Sequence, residues 1–225
     1  WRKKIGYPAH PEGRQYYLGQ LHCLDHEIGL LMKELEVHDI TDRTAIIFVS
    51  DNGGSLVTYA SNGRLKGGKY TLFEGGTRVP MIISYPPRFE TNVVSGSIVS
   101  TIDILPTICS LTETPTPEGL DGLDIFPLLT GSRQSPGSRS LFWDTKAERS
   151  VRKGKWKLLI TERTPNPRLQ IVNTPKGMFL YDLERDPGET VDRLSEQPEI
   201  AEDLGLALKN WQTSVTRSQQ KGHNN

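Results

Sequence analysis

The sequence predicts an α/β domain with a parallel sheet, followed by a small α+β unit. A helical pattern, a polar turn and a short apolar strand follow one another in the first part, which is the order of elements in domains with a parallel sheet. Beyond a segment rich in Ser, Arg, Gly and Pro at 132–140, strand patterns follow one another without helices between them. We therefore expect two domains, at residues 1–131 and 139–225.

The first part shows one long helix and two short strands. Apolar residues recur every three or four positions between 12 and 36, which predicts an amphipathic helix. The run 44–50 is apolar and rich in β-branched residues, so we expect a strand buried on both faces, and 79–85 reads as a second strand. The stripe of the helix consists of Tyr17, Leu21, Leu24, Ile28, Leu31, Met32 and Leu35.

The later elements are shorter. Residues 99–111 read as a strand end that runs into a helix, with Asp103 as the cap. Short strands are predicted at 139–144, 151–161 and 178–183, and a last amphipathic helix at 198–215. This order predicts an antiparallel sheet with a helix at the end of the chain.

Composition excludes several classes of protein. Lys plus Arg equals Asp plus Glu at 27 each, and the absence of a basic run argues against a nucleic-acid partner. The longest apolar runs are too short to span a bilayer. Cys23 and Cys109 lie in apolar helical contexts and are expected to be free thiols. A chain that opens at Trp1 and enters a helix almost at once suggests a truncation point.

The strongest chemical signal is the tetrapeptide that follows the first apolar strand. Asp51 and Asn52 provide a carboxylate and an amide oxygen, the hard donors that Ca²⁺ or Mg²⁺ selects, at the strand edge where α/β sheets bind ligands. Gly53 and Gly54 would let the backbone turn away from a metal. The same residues also suit a plain strand-to-turn junction, so the tetrapeptide alone leaves both interpretations open.

The segment 65–80 adds an anion-binding signal. Four of its residues are glycines, which permit close approach of the backbone to an anion, and Lys69 supplies a compact positive charge. Glu74 and Arg78 lie four positions apart and could fix the loop through a charge pair. The alternative interpretation is a surface loop with solvated lysines.

These motifs, in this order, resemble the second half of the sulfatases, members of the alkaline phosphatase superfamily. The resemblance rests on Asp-Asn-Gly at 51–53, Gly-Lys at 68–69 and Glu-Gly-Gly-Thr-Arg-Val-Pro at 74–80. It extends to Leu-Asp-His-Glu-Ile-Gly at 24–29, Asp-Ile-Leu-Pro-Thr at 103–107, Asp-Gly at 121–122, and Leu-Tyr-Asp-Leu at 180–183 followed by Asp186, Pro187 and Glu189. It therefore covers nearly the whole chain.

The resemblance implies the second half of an alkaline-phosphatase-like sandwich and a sulfuric ester hydrolase. Asp51 and Asn52 would be two ligands of a single Ca²⁺. Lys69 would bind the sulfate and assist catalysis by stabilising charge on the leaving group. Glu74 and Arg78 would hold the loop. The substrate would be a sulfated small molecule or carbohydrate, in the periplasm, outside the cell or in lysosomes.

The chain departs from the family in its nucleophile. Sulfatases use a formylglycine made from Cys or Ser in a Cys/Ser-x-Pro-x-Arg motif, and neither cysteine is followed by that pattern. The nearest match, 135–139, has its proline one place early, and the family's first pair of metal aspartates is missing as well. We expect negligible turnover and weak calcium binding from residues 1–225 alone, and strands left without partners that favour aggregation.

Other residues and functions stay open at this point. His10 suits a surface loop better than the family's active-site histidine, and Tyr59, Asn62 and Arg64 could either line a pocket or be solvated. A phosphodiesterase or phosphonate monoester hydrolase of the same superfamily is the first alternative function. A non-catalytic, calcium-stabilised module is the second.

Overall fold

A computed structural model describes residues 13–132, 139–145, 147–162 and 175–222. Its helices are α1 (Arg14–Val37), α2 (Glu74–Thr77), α3 (Ile104–Leu111), α4 (Phe126–Leu129) and α5 (Pro198–Gly222). Its strands are β1 (Ile46–Val49), β2 (Met81–Ser84), β3 (Ser140–Asp144), β4 (Glu148–Lys153), β5 (Trp156–Thr161) and β6 (Gly177–Asp182). The predicted order, mixed α/β first and antiparallel strands with a helix afterwards, is confirmed.

Contacts divide the described chain into two compact units. The first consists of Trp1–Glu34, Val49–Met81 and Ser140–Asn225, as far as these segments are described, and the second of Leu35–Phe48 and Ile82–Arg139. The chain thus passes between the units more than once. The domain boundaries expected from the sequence, 1–131 and 139–225, stay a prediction.

The long first helix forms where its pattern predicts, but its apolar side chains lie largely in solvent. None of the residues of α1 is buried, and Leu24 and Leu31 are 47% and 58% exposed. Within the described parts of the chain, no helix combines the length and the apolar character needed to cross a membrane. Cys23 on α1 and Cys109 on α3 are free thiols, as expected.

Most of β1 and β2 lies in the second unit, and these two strands form a two-stranded sheet in the described part of the chain. The expectation that the first strand is buried on both faces is wrong for this chain, since its residues are half-buried and Phe48 is 37% exposed. Ile82 on β2 is 61% exposed. A two-stranded sheet does not cover its own faces, so the apolar side chains that suit a buried strand remain accessible.

Asp103 lies at the N-cap of α3, as the sequence predicted, but its side chain bonds elsewhere. Its carboxylate is fully buried and does not bond to the first turn of α3. It instead accepts the Ser100 N–H at 2.8 Å, the Leu123 N–H at 2.9 Å and Arg139 Nη1 at 2.6 Å. One carboxylate therefore joins three segments of the second unit, because a buried anion needs several donors to offset its lost hydration.

The first unit is built on an antiparallel sheet in the order β3-β4-β5-β6. The single strand predicted at 151–161 is two strands, with Gly154 in a left-handed turn at φ +58° between them. The register places Val151 opposite Leu158, and Leu158 opposite Leu180. Each strand is thus a neighbour of the next, which is the topology of a meander.

One face of this sheet packs on α5. Val151, Leu158 and Leu180 are completely buried and contact Leu204 and Leu208 of the helix. At the edge of the same core, the rings of Phe142 and Trp211 stack with centroids 5.2 Å apart. The apolar face predicted for the last helix is therefore the face that it buries.

The other face of the sheet holds the segment that leads into α2. Leu72 and Phe73 pack against Leu159 and Tyr181, and all of these side chains are buried. The Leu72 N–H also donates to Glu148 Oε2 at 2.8 Å. Successive side chains of a strand point to opposite faces of the sheet, so Leu158 packs on α5 and Leu159 packs on Leu72 and Phe73. The sheet therefore anchors the glycine-rich segment as well as the helix.

A buried cluster of charges completes this attachment. Lys157 Nζ lies 3.0 Å from Glu74 Oε1 and 3.0 Å from Glu189 Oε1, and Arg152 Nη1 lies 3.2 Å from Glu74 Oε2. The side chains of Lys157 and Glu189 are fully inaccessible. Burial raises the pKa of the Glu189 carboxyl, and the ammonium of Lys157 opposes that rise. Two cations thus balance two carboxylates that would be costly to bury alone.

We expect Lys157→Met to lower the free energy of unfolding by about 3–5 kcal/mol, because it leaves two buried carboxylates facing one half-buried arginine. Urea denaturation checks this value. Lys155→Met is the matched control, since Lys155 is 39% exposed and pairs with Asp182 near the surface, where loss of a pair costs about 1 kcal/mol or less. Equal losses for the two variants would contradict a special contribution of the buried pair.

We also expect the 225-residue chain to self-associate, because α1 and the β1–β2 sheet expose many apolar side chains. Sedimentation velocity over a range of concentrations measures the effect. Replacing Leu24 and Leu31 with Glu should reduce association, whereas Leu206→Glu on α5, at a residue 58% exposed, should change it little. A chain that stays monomeric at high concentration would refute this prediction.

Candidate active site

Asp51 and Asn52 form the turn that follows β1. The Asn52 N–H donates to Asp51 Oδ1 at 2.9 Å, and Ser50 Oγ donates to the Asn52 carbonyl at 2.8 Å. Asn52 Nδ2 donates to the Gly53 carbonyl at 2.9 Å. The other amide atom, Oδ1, is therefore the one that could coordinate a cation. Asp51 is exposed and Asn52 is half-buried, so the turn offers oxygen donors at an accessible position.

The turn is fixed by contact between two glycine-containing segments. The Gly53 N–H donates to the Gly76 carbonyl at 2.9 Å. A Cβ atom at Gly53 would overlap the Gly75 carbonyl, so no other residue fits this close approach. The Gly75 N–H in turn donates to the Lys66 carbonyl at 2.8 Å. The two glycine-rich motifs identified in the sequence are therefore packed directly against one another.

Asn62 holds the loop between the two motifs. Its Oδ1 accepts the Gly54 N–H at 2.8 Å, and its Nδ2 donates to the carbonyls of Gly54 and Gly67 at 3.0 Å and 2.9 Å. All three bonds go to the backbone, so this amide holds the loop together rather than lining a pocket. Arg64 and Tyr59, the other two candidates from the sequence, are exposed.

Lys69 lies next to the Asp-Asn turn through its backbone. Its N–H donates to the Gly54 carbonyl at 3.2 Å, and its side chain is partly accessible. The Nζ atom lies 5.7 Å from the centroid of the Tyr70 ring. The structure thus brings together the backbone segments that carry the three residues predicted from the sequence, Asp51, Asn52 and Lys69. Their roles in binding and catalysis stay predictions.

The expected charge pair between Glu74 and Arg78 is wrong. Glu74 is buried on the sheet, where its carboxylate pairs with Lys157 and Arg152, whereas Arg78 is exposed. The link between Glu74 and Arg78 is a backbone hydrogen bond of 2.8 Å. The buried Glu74 carboxylate pairs with nearby cations because an unpaired charge is costly in a low-dielectric environment. Arg78 is exposed and stays hydrated. Glu74 nevertheless holds the loop, as the sequence suggested.

The donor chemistry of the turn suits calcium, but two oxygen ligands are fewer than the six to eight that the ion takes. Among the described residues, no group of three or more His, Cys, Asp or Glu side chains is placed to hold a metal. His22 and His26 lie on the exposed surface of α1, and His38 follows that helix. His10, His223 and most of the 135–139 near-match lie outside the described residues.

Sequence reasoning missed the residues that support the site from the sheet. Lys157 is a lone charge in the apolar run of β5, and such a residue is rarely buried without a partner. Lys66 was also missed: its Nζ donates to the Glu189 carbonyl at 3.2 Å and lies 4.4 Å from the centroid of the Phe73 ring. Burial lowers the pKa of the Lys66 ammonium, and the charges of Glu189 and Asp186 oppose that effect.

Comparison with known proteins gives consistent matches. A sequence model described as Sulfatase matches residues 3–114, and one described as N-sulphoglucosamine sulphohydrolase, C-terminal, matches residues 68–214. Arylsulfatase A of Homo sapiens is 30% identical over 91% of this chain and 44% of its own length. The N-acetylgalactosamine-6-O-sulfatase of Bacteroides thetaiotaomicron is 28% identical over 84% of this chain and 40% of its own.

Solved structures agree with these matches. The crystal structure of Ps i-CgsB superposes with a TM-score of 0.77 and 26% identity, over 92% of this chain and 45% of that one. The chain spans less than half the length of the curated relatives it matches, and it corresponds to their C-terminal part. The alkaline-phosphatase-like fold expected from the sequence is confirmed. This chain belongs to the sulfatase family.

Proposed function

We propose that the protein hydrolyses sulfate esters, and that this chain supplies part of the metal site and the lysine that contacts sulfate. The observation that carries the proposal is the hydrogen bond of 3.2 Å from the Lys69 N–H to the Gly54 carbonyl. It places a cationic residue beside the Asp51-Asn52 turn, although 17 positions of sequence separate Asn52 from Lys69. The nucleophile of the reaction would lie outside these 225 residues.

Sulfatases generally depend on a metal ion. We propose that Asp51 and the Oδ1 atom of Asn52 are two ligands of one Ca²⁺, with the remaining ligands supplied from outside this chain. A bound calcium ion would act as a Lewis acid toward the sulfate oxygens. The backbone bonds around Asn52 and Gly53 support this assignment, because they fix the turn before any ion binds.

Lys69 is proposed to bind the sulfate group and to stabilise the negative charge that develops on the leaving oxygen. Its ammonium carries one localised charge and up to three hydrogen-bond donors, which suits a tetrahedral anion. A group held in place before the reaction stabilises that charge without reorganisation. The backbone bond to Gly54 and the packing of Leu72 and Phe73 on the sheet support such a fixed position.

The proposed substrates are sulfated carbohydrates, with aryl sulfates as the simpler assay compounds. Two findings support a sugar substrate: a relative is named N-acetylgalactosamine-6-O-sulfatase, and Ps i-CgsB was determined in complex with k-i-k-neocarrahexaose. The expected location, periplasmic, secreted or lysosomal, stays a prediction. Sequencing upstream of the Trp1 codon for Cys or Ser followed by x-Pro-x-Arg identifies the proposed nucleophile.

We expect Lys69→Ala, in a protein that carries this chain together with that upstream motif, to lower kcat/KM for 4-nitrophenyl sulfate by about 10²–10³, the usual loss when a charge-stabilising group is removed. Lys209→Ala is the matched control, since Lys209 is an exposed lysine on α5. The 225-residue chain alone should show no turnover above background. Full activity of Lys69→Ala would refute the role of this lysine, and no turnover by the longer protein would refute the function.

We expect Asp51→Asn, in the same longer protein, to weaken calcium binding by about tenfold or more, because it removes a charged ligand. Isothermal titration with Ca²⁺ after treatment with chelator measures the affinity. Asp203→Asn, an exposed position on α5, is the control that changes a carboxylate without touching the turn. Unchanged affinity of Asp51→Asn would show that the ion binds elsewhere.

A further inference from the structure

The turn that carries Lys69 contains a tyrosine where glycine is expected. The Thr71 N–H donates to the Gly68 carbonyl at 3.0 Å, which closes a four-residue turn with Lys69 and Tyr70 at its centre. Tyr70 has a φ of +81°. This value is typical of the third residue of a type II turn, a position that favours glycine because a Cβ atom is strained there. The sequence therefore places a bulky side chain at an unfavourable backbone position.

The surroundings of the turn impose this conformation. Thr71 Oγ1 accepts the Gly68 N–H at 3.1 Å and donates to the Gly68 carbonyl at 2.9 Å, and both residues are buried. The Lys69 N–H is bonded to Gly54 on the other side. Strained residues persist only where their neighbours determine the conformation, and they concentrate at functional sites.

Packing among the described residues leaves half of Tyr70 exposed. Tyr70 is 50% exposed, whereas the six residues that follow it, 71–76, are all buried. Lys69 Nζ lies 5.7 Å from the centroid of the Tyr70 ring. Tyr59 offers a comparison: it also has a positive φ, +64°, but its ring lies against Gly13 and its carbonyl accepts a bond of 2.6 Å from Arg14.

We propose that Tyr70 is a substrate-binding residue whose ring stacks on the apolar face of the pyranose that carries the sulfate ester. The proposal rests on the sulfatase function proposed above, with Lys69 at the sulfate. Consecutive residues of one fixed turn would then contact the two chemically different parts of the substrate. The ammonium would hold the anionic group, and the aromatic face would pack on the C–H groups of the adjacent ring. The strain at Tyr70 is the cost of placing that face beside the lysine.

The test compares Tyr70→Gly with the wild-type longer protein, using D-galactose 6-sulfate as substrate and inorganic sulfate as inhibitor. We expect KM for the sugar sulfate to rise about three- to tenfold, the usual range for loss of one aromatic contact. The inhibition constant of inorganic sulfate should stay unchanged, because sulfate lacks the ring. The melting temperature should not fall, because glycine adopts a φ of +81° without steric strain.

Two further variants separate the ring contact from other effects. Tyr70→Phe keeps the ring and should restore most of the affinity for the sugar sulfate. Glu113→Gly relaxes an exposed residue with a φ of +55° outside the candidate site and should leave KM unchanged. An unchanged KM in Tyr70→Gly overturns the inference, and so does an equal rise in the inhibition constant of sulfate, which would indicate an effect through Lys69.

The outcomes also distinguish this inference from the function on which it rests. Hydrolysis of 4-nitrophenyl sulfate without hydrolysis of the sugar sulfate keeps the sulfatase function and overturns the pyranose contact. Hydrolysis of neither compound refutes the proposed function and removes the premise of the inference. A raised KM for the sugar alone, with sulfate inhibition and melting temperature maintained, supports both.

Discussion

The site depends on one buried cation, Lys157, which lies between the carboxylates of Glu74 and Glu189. Glu74 begins α2, so this contact fixes the short helix on the C-terminal sheet. The Glu74 N–H also donates to Glu189 Oε2 at 2.6 Å, which ties the helix start to the segment after β6. Buried charges tolerate little displacement, because each carboxylate that loses its cation faces the full cost of desolvation. The position of α2 is therefore set by electrostatics as much as by packing.

Backbone hydrogen bonds join α2 to the candidate site. Gly76 accepts the Gly53 N–H of the Asp-Asn turn, and Gly75 donates to Lys66 in the loop that carries Lys69. Close approach of these segments requires glycine, since a Cβ at Gly53 or Gly76 would overlap backbone atoms. The antiparallel sheet thus contributes to the candidate site. It supports the loop that presents Lys69 and Tyr70, while its opposite face packs on α5.

The two sheets of the chain differ in how far their faces are covered. In the first unit, both faces of the four-stranded sheet are covered, by α5 and by the segment around Phe73. In the second unit, β1 and β2 pair with one another and leave residues such as Phe48 and Ile82 accessible. The same residue types give a buried strand in one setting and an exposed strand in the other, because burial depends on what covers the sheet rather than on the strand's own pattern.

Sequence patterns predicted the α/β class of the first part, the antiparallel strands with a final helix, and the motifs at 51–54 and 65–80, although one predicted strand proved to be two. Periodicity, glycine clusters and motif order are local properties, so they can be read from neighbouring residues. The partners of Glu74, the backbone hydrogen bonds of Asn62, the burial of Lys157 and the positive φ of Tyr70 are evident only in the folded chain. Glu74 and Lys157 are distant in sequence and meet only because the fold buries them in one low-dielectric environment. The conformations around Asn62 and Tyr70 depend on a close backbone approach to Gly54, which no local pattern specifies.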